Sequence, residues 1–192
     1  MPKHLSIEDS LELLSVVDGP NKERDYCILT LFLNCGMRLS ELCGLNLSDI
    51  HSDGTLRLLG KGNKERIVYI NDACDEAIKA YLAVRPNDGI EFGDRNALFI
   101  SRNKRRLSNK TVQHIVKTYL EKAGLGGQGY STHKLRHTAA TLMYQHGNVD
   151  IRVLKDILGH SNLGTTQIYT HISDTQIKNA IDSNPLSNVK KK

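Results

Sequence analysis

Residues 23–37 limit the fold of this sequence more than any other segment, because residues 26–33 are apolar on nearly every side. Such a stretch predicts a central helix that is buried on all of its faces and ends near Gly36. Other elements with apolar faces have to cover a helix of this kind. The sequence therefore indicates a mainly helical domain built around this segment.

The remaining elements are predicted from apolar residues at regular spacing and from capping residues. Helices are expected at residues 6–17, from about residue 40, at 71–86, 108–123, 133–146 and 150–159, around Tyr169, and in the polar segment before the C-terminal tail. Residues 55–59 and 66–70 are β-like runs on either side of the turn-rich residues 60–65, and residues 97–101 are also strand-like. The expected fold class is mainly α with a small antiparallel β-sheet or hairpin (α+β), in one domain.

Composition and charge exclude some classes of protein. Of the 192 residues, 39% are apolar and 24% are charged, which is typical of one globular domain and not of a disordered tail. No apolar run approaches the roughly 20 residues that a membrane-spanning helix needs, so a cytoplasmic protein with no membrane partner is expected. The four cysteines include no C-x-x-C pair, which favours reduced thiols in the core over a disulfide framework. The net charge of +5 is compatible with a polyanionic partner but also common among other domains.

Two pairs of polar residues are suited to binding one anion. Arg38 and Glu41 are three residues apart, as are His133 and Arg136, so on helices each pair would share a face. A planar guanidinium group matches two non-bridging oxygens of a phosphodiester and keeps its charge throughout a reaction. Lys61 adds an ammonium group between two glycines of the hairpin loop. These residues indicate a site that clamps a phosphodiester.

Five motifs make the sequence similar to the tyrosine recombinase family, also called the phage integrase family, in their order, residue types and spacing. They are Gly36-Met-Arg38-Leu-Ser-Glu41-Leu, Gly60-Lys61-Gly-Asn-Lys-Glu-Arg66, His133-Lys-Leu-Arg136-His, Leu158-Gly-His160 and Tyr169-Thr-His171. The resemblance extends over nearly the whole chain. It implies the fold of a tyrosine recombinase catalytic domain and the activity of a site-specific DNA recombinase or integrase.

The resemblance also implies an active site. The residues at the family's catalytic positions are Arg38, Lys61, His133, Arg136, His160 and Tyr169. In the implied reaction the Tyr169 hydroxyl attacks a backbone phosphate, which gives a 3′-phosphotyrosyl enzyme and a free 5′-hydroxyl. The two arginines and His160 would stabilise the pentacoordinate phosphorane. Lys61 would protonate the leaving oxygen and His133 would accept the tyrosine proton, while Glu41 would orient Arg38 or His133. No metal or other cofactor is implied.

Some assignments stay open at this point. Lys64 lies in the same loop as Lys61 and competes with it for the role of the acid; the family resemblance favours Lys61, and Arg66 is a distant third candidate. His133 and His137 have the spacing of a helical zinc pair, but Lys134 stands where a zinc protease motif has a glutamate, which disfavours zinc. Four other tyrosines fall on apolar helical faces and are expected to be core or half-buried residues: Tyr26, Tyr81, Tyr119 and Tyr144.

The densest group of basic residues follows the strand-like segment at residues 97–101. Together with a loop lysine, it supplies the residues expected to bind the DNA backbone: Lys64, Arg102, Lys104, Arg105, Arg106 and Lys110. A solvated loop is the alternative interpretation of this group. The partners that the resemblance implies are double-stranded DNA and other recombinase protomers, as a tetramer on DNA and a monomer when free.

Two other functions are compatible with parts of the sequence. Residues 150–172 have the pattern of a helix, a glycine turn and a helix, which is typical of a non-enzymatic helix-turn-helix regulator. That interpretation leaves Arg38, Lys61 and the His133 and Arg136 pair unexplained. A type IB topoisomerase-like enzyme would use similar chemistry without strand exchange.

The expected organisation is a catalytic domain at residues 1–172 followed by a C-terminal helix and basic tail at residues 173–192. By resemblance to the family, this C-terminal segment could pack on a neighbouring protomer. Family members usually carry an N-terminal DNA-binding domain as well. Because Arg38 comes so early in the sequence, that domain is expected to be absent from this chain.

Overall fold

The described part of the chain is mainly helical in the computed structural model, which describes residues 4–146, 152 and 174–189. Within these residues the elements are α1 (Ile7–Ser15), α2 (Lys22–Cys35), α3 (Leu39–Cys43), β1 (Thr55–Leu59), β2 (Glu65–Tyr69), α4 (Asp72–Val84), α5 (Asn109–Lys122), α6 (Thr132–His146) and α7 (Asp174–Asp182). Three short 3-10 turns lie at Leu47–Asp49, Lys61–Asn63 and Phe92–Asp94. The mainly α fold class with one small antiparallel sheet is confirmed.

Helix α2 lies at the centre of the domain, as its apolar sequence predicts. Every residue from Arg24 to Cys35 is buried, and the helix packs against both α4 and α6. It ends at Gly36, whose φ of 63° is in the left-handed region that glycine adopts without a steric penalty. The next residue, Met37, is fully buried. The chain therefore passes from α2 into α3 within the core, to which α3 contributes Leu42.

The two strands form the expected hairpin. They pair antiparallel from Thr55–Tyr69 at the open end to Leu59–Glu65 beside the loop, so the second strand begins one residue earlier than predicted. One face of the hairpin contributes to the core through Leu56, Leu58 and Val68. The alternation of buried and exposed side chains follows from the two-residue period of a strand. It places Arg66 on the same face as the buried Val68.

Residues 97–100 are buried, but residues 97–101 do not form the strand that their sequence suggests. They make only isolated bridges, at Ala97 and at Ile100. Two backbone carbonyls of this segment accept hydrogen bonds from the Arg85 side chain: Nη2 donates to Ala97 O at 2.6 Å, and Nε donates to Leu98 O at 3.1 Å. Carbonyls that accept from a guanidinium in this way do not extend a sheet.

The described C-terminal residues pack on the same chain, against α2 and the start of α4. The Asn184 side chain donates to Leu33 O at 3.1 Å, and the Ala73 backbone N–H donates to Ser187 O at 2.9 Å. Leu186 is fully buried in the main core. Asn184, Leu186 and Ser187 are therefore buried against this domain in the single chain.

All four cysteines are buried, which confirms the core positions expected for them. The Cys35 and Cys74 Sγ atoms are 3.5 Å apart. Burial raises the pKa of the Cys27 thiol well above its usual range, so this thiol stays protonated at neutral pH.

No helix among residues 4–146, 152 and 174–189 is both long and apolar enough to cross a bilayer. The helices expected at residues 150–159 and around Tyr169 lie outside the described residues.

Candidate active site

A cleft of about 410 Å³ lies between the end of α2 and the first turns of α5 and α6. Its lining consists of Met37, Arg38, Leu39, Ser40, Asn109, Thr132, His133 and Arg136. Three of the six predicted catalytic residues are among them, although almost a hundred residues separate Arg38 from the other two. The fold therefore brings together Arg38, His133 and Arg136.

Arg38 is positioned by the turn between α2 and α3. Its backbone is extended, and the residue is the N-cap of α3, which begins one residue before the helix start expected at about residue 40. The Arg38 backbone N–H donates to Glu41 Oε1 at 2.8 Å. Glu41 therefore fixes the backbone from which the Arg38 side chain extends.

Arg136 lies in the first turns of α6 and is only 8% exposed. Its Nε donates to the carbonyl oxygen of Gly36 at 2.8 Å, which joins α6 to the end of α2. Burial lowers the pKa of Arg136 to about 10, and the positive charges of Arg38 and Arg66 act in the same direction, whereas Glu41 opposes them. The guanidinium stays charged at neutral pH in surroundings that disfavour the charge, which favours binding of an anion.

His133 is the second residue of the same helix and lines the cleft with an exposed side chain. His137, one turn later, is half-buried and contacts the ring of His4 edge-on, with 6.3 Å between the ring centroids. Burial and then the neighbouring His4, Lys134 and His133 lower the pKa of His137. Among the residues that the structure describes, no group of three or more His, Cys, Asp and Glu side chains could hold a metal ion.

Lys61 does not line the cleft. It lies on the exposed turn between β1 and β2, as does Lys64. This turn is closed by a hydrogen bond from the Gly60 N–H to Lys64 O at 2.7 Å, and Gly62 adopts a φ of 73° within it. The start of the turn lies close to the Glu41 side chain: a Cβ atom added to Gly60 would be 3.7 Å from Glu41 Oε2.

Glu41 connects this hairpin to the cleft through Arg66. Arg66 Nε donates to Glu41 Oε2 at 2.8 Å and its Nη2 donates to Glu41 Oε1 at 2.9 Å. Burial alone would raise the pKa of Glu41, but the hydrogen bonds and charge of Arg66, with the Arg38 N–H, outweigh it and lower the pKa. Sequence reasoning considered Glu41 only as a partner of Arg38 or His133. The signal for Arg66 was its place in strand alternation, two residues before the buried Val68.

The predicted DNA-binding residues fall into two groups. Arg102, Lys104, Arg105 and Lys110 are exposed, as is Lys64 on the hairpin turn. Arg106 is half-buried instead: its Nη1 donates to Cys43 O at 3.1 Å and to Leu45 O at 2.9 Å, and its Nη2 contacts the Asn46 side chain. The guanidinium of Arg106 thus holds the chain that follows α3.

Asn109 and Thr132 also line the cleft, and sequence reasoning had singled out neither for a site. Asn109 is the first residue of α5 and follows Ser108, whose Oγ accepts from the Thr111 N–H at 3.1 Å. The capping serine marks the helix start in the sequence. The proximity of this helix start to Arg38 depends on tertiary packing and leaves no local signal.

Most of the other tyrosines have structural positions. Tyr26, Tyr81 and Tyr119 are buried, as expected, and the Tyr119 hydroxyl donates to Asp18 O and contacts Asp25. Tyr144 differs from the expectation, since it is 54% exposed on α6. The two remaining predicted catalytic residues, His160 and Tyr169, lie outside the described residues.

Comparison with known proteins identifies the family. The model of the phage integrase family matches residues 3–176. This chain belongs to the phage integrase family. Among curated members, it is similar to the tyrosine recombinase XerC of Caldanaerobacter subterraneus subsp. tengcongensis, with 58% identity over 186 residues, which cover 97% of this chain and 52% of that protein. The chain thus spans about half the length of this relative.

Solved structures of the phage integrase family share the fold. The crystal structure of XerA recombinase superposes with a TM-score of 0.74 at 31% identity, over 93% of this chain and 63% of that one. The XerH site-specific recombinase bound to its difH substrate gives a TM-score of 0.72 at 26% identity, over 93% of this chain and 53% of that one. The predicted tyrosine recombinase catalytic-domain fold is therefore confirmed.

Proposed function

We propose that this chain is the catalytic domain of a site-specific DNA recombinase, which cuts and rejoins DNA through a 3′-phosphotyrosyl intermediate on Tyr169. The observation that carries the proposal is the convergence of Arg38, His133 and Arg136 on one cleft. The high identity to a tyrosine recombinase XerC supports the same reaction class. A cleft with two guanidinium groups suits a phosphodiester, which the groups can bind through its non-bridging oxygens.

In the proposed step the Tyr169 oxygen forms a bond to phosphorus while the bond from phosphorus to the 5′-oxygen breaks. His133 accepts the tyrosine proton, and Lys61 gives a proton to the leaving 5′-oxygen. The phosphoester is exchanged and not hydrolysed, so a 5′-hydroxyl from a second duplex can reverse the step and join new strands. The reaction needs no nucleotide cofactor.

The two arginines and His160 would stabilise the charge that develops on the phosphorane oxygens. Arg136 is suited to this role because it is already desolvated and held by the Gly36 carbonyl before DNA binds. Because two guanidinium groups and an ammonium group supply the positive charge, the proposed reaction requires no metal ion. Cleavage should therefore proceed in the presence of EDTA.

The proposed partner is double-stranded DNA, as in the XerH structure with its difH substrate. The exposed Lys64, Arg102, Lys104, Arg105 and Lys110 would contact the DNA backbone, which gives salt-dependent affinity without sequence information. Strand exchange would involve further recombinase protomers, as a tetramer on DNA. Residues 1–172 would form the catalytic unit. Residues 173–192 would form a C-terminal segment able to exchange its packing between protomers.

Covalent capture tests this proposal. The chain is incubated, in the presence of EDTA, with a pool of nicked duplexes of randomised sequence. Cleavage near the nick releases a short fragment with a 5′-hydroxyl end, and the loss of this fragment prevents rejoining. Adducts that survive denaturation are collected, their DNA is sequenced, and their peptide is mapped by mass spectrometry. The expected result is an adduct on Tyr169 with an enriched DNA sequence. Sequence-specific binding without any adduct would instead favour a non-enzymatic regulator.

A further inference from the structure

The Arg66 guanidinium lies beneath the loop that carries Lys61, in contact with a carboxylate that is fully removed from solvent. Its side chain is 16% exposed and that of Glu41 is 0% exposed. Two parallel N–H···O bonds of 2.8 and 2.9 Å join them. A two-point pair between planar groups fixes orientation as well as distance, which a single ammonium group does not.

The same carboxylate also holds Arg38. Glu41 Oε1 accepts both the Arg38 backbone N–H at 2.8 Å and Arg66 Nη2. Arg66 belongs to β2, and Lys61 precedes it by five residues in the turn between the strands. A continuous chain of hydrogen bonds therefore leads from the strand next to Lys61 to the backbone of Arg38.

The charge of Arg66 also acts on Arg136, which lines the cleft. It contributes, after burial and Arg38, to the lowered pKa of Arg136. Arg66 is thus close enough to influence the phosphate site electrostatically. Its Nε and Nη2 are nevertheless directed at Glu41, so the geometry favours an action through neighbouring residues.

We propose that Arg66 is a positioning residue: through Glu41 it holds the hairpin in register with Arg38, so that the Lys61 ammonium and the Arg38 guanidinium act on one phosphate. This inference rests on the proposed function. It predicts that loss of Arg66 impairs chiefly the step that depends on Lys61, the protonation of the leaving 5′-oxygen. A misplacement of about 1 Å in a reacting group can reduce a rate by about 10²-fold.

A substrate with sulfur in place of the bridging 5′-oxygen separates this role from a general loss of structure. A thiol has a pKa of about 8.5, far below that of an alcohol, so the sulfur leaves without a proton from the enzyme. We expect Arg66→Gln and Lys61→Ala each to reduce cleavage of the oxygen substrate by about 10²-fold or more. Both variants should regain most of the wild-type rate on the sulfur substrate, whereas Arg38→Ala should not.

The matched control is Arg57→Gln. Arg57 lies in β1 of the same hairpin and forms ion pairs with Asp49 and Glu65, but neither carboxylate contacts the cleft. This variant should cleave both substrates at the wild-type rate. Because Arg66→Gln leaves the Glu41 carboxylate buried without its partner, the double variant Glu41→Gln, Arg66→Gln is measured as well. It removes both charges and is expected to fold and to show the same recovery on sulfur.

The outcomes distinguish this inference from the proposed function. If wild-type protein forms no adduct with either substrate, the proposed function fails. If wild-type protein cleaves but the Arg66 variants lose the same factor on both substrates, or lose nothing on oxygen, Arg66 does not position the acid. Failure of sulfur to restore Lys61→Ala would overturn the inference too, because Lys61 would not be the acid.

Discussion

Replacing Arg136 by methionine should weaken catalysis without weakening the fold. Burial, together with the positive charges of Arg38 and Arg66, lowers the pKa of Arg136 from the ordinary value of an arginine to about 10. Keeping the guanidinium charged there costs about 3 kcal/mol, at about 1.4 kcal/mol for each tenfold change in proton affinity. Methionine retains the apolar stem and removes this cost. It also removes the hydrogen bond to Gly36 O, which contributes about 1 kcal/mol.

The free energy of unfolding of Arg136→Met is therefore expected to equal that of the wild type or to exceed it by up to about 2 kcal/mol. Cleavage should fall by about 10²–10³-fold, the effect of losing one preorganised group at a developing charge. Chemical denaturation measures the first quantity, and adduct formation on the captured DNA sequence measures the second. Lys134→Met is the control, because it removes a cation from the same helix outside the cleft. A loss of stability beyond about 2 kcal/mol, or unimpaired cleavage, would refute the reasoning.

The remaining predictions concern the proposed nucleophile, two arginines and two glycines. Tyr169→Phe should abolish the adduct and leave DNA affinity in a mobility-shift assay unchanged, because it removes only the attacking hydroxyl. Arg106→Ala should lower the free energy of unfolding by about 1–3 kcal/mol, because two backbone carbonyls lose their donor. Arg102→Ala should leave stability unchanged and should reduce the salt dependence of DNA binding by about one charge. Gly36→Ala should lower the free energy of unfolding by about 1–2 kcal/mol, and so should Gly54→Ala, because both glycines have a positive φ. Only Gly36→Ala should also slow cleavage.

The sequence was sufficient to predict the elements whose signal is local. An apolar run such as residues 26–33 is stable only in the core, and α2 is buried from Arg24 to Cys35. The hairpin is similarly predictable, because glycines and polar residues in the turn separate two alternating runs. The grouping of Arg38, His133 and Arg136 came from the family resemblance, and the fold places these residues in one cleft.

The side-chain partners could not be predicted in the same way. Arg66 and Arg106 have similar surroundings in the sequence to other basic residues, yet one binds a buried carboxylate and the other binds backbone carbonyls. Which partner an arginine finds depends on elements 25 to 63 residues away. Residues 97–101 show the same limit, since Arg85 donates to the Ala97 carbonyl and Arg24 donates to the Ile100 carbonyl, and neither contact has a local signal in the sequence.

The charge balance of the cleft connects stability with the proposed chemistry. Among the described residues whose charges act on Arg136 are two further guanidinium groups, of Arg38 and Arg66, and one carboxylate, of Glu41. Three positive groups with one negative group leave an excess of positive charge in a partly desolvated site. This excess destabilises the folded protein when no anion is bound. In the proposed reaction a bound phosphodiester would offset part of this excess, and a pentacoordinate phosphorane, which carries more negative charge, would offset more. The burial and the neighbouring positive charges that lower the pKa of Arg136 would therefore be compensated most in the transition state, as preorganised electrostatic catalysis requires.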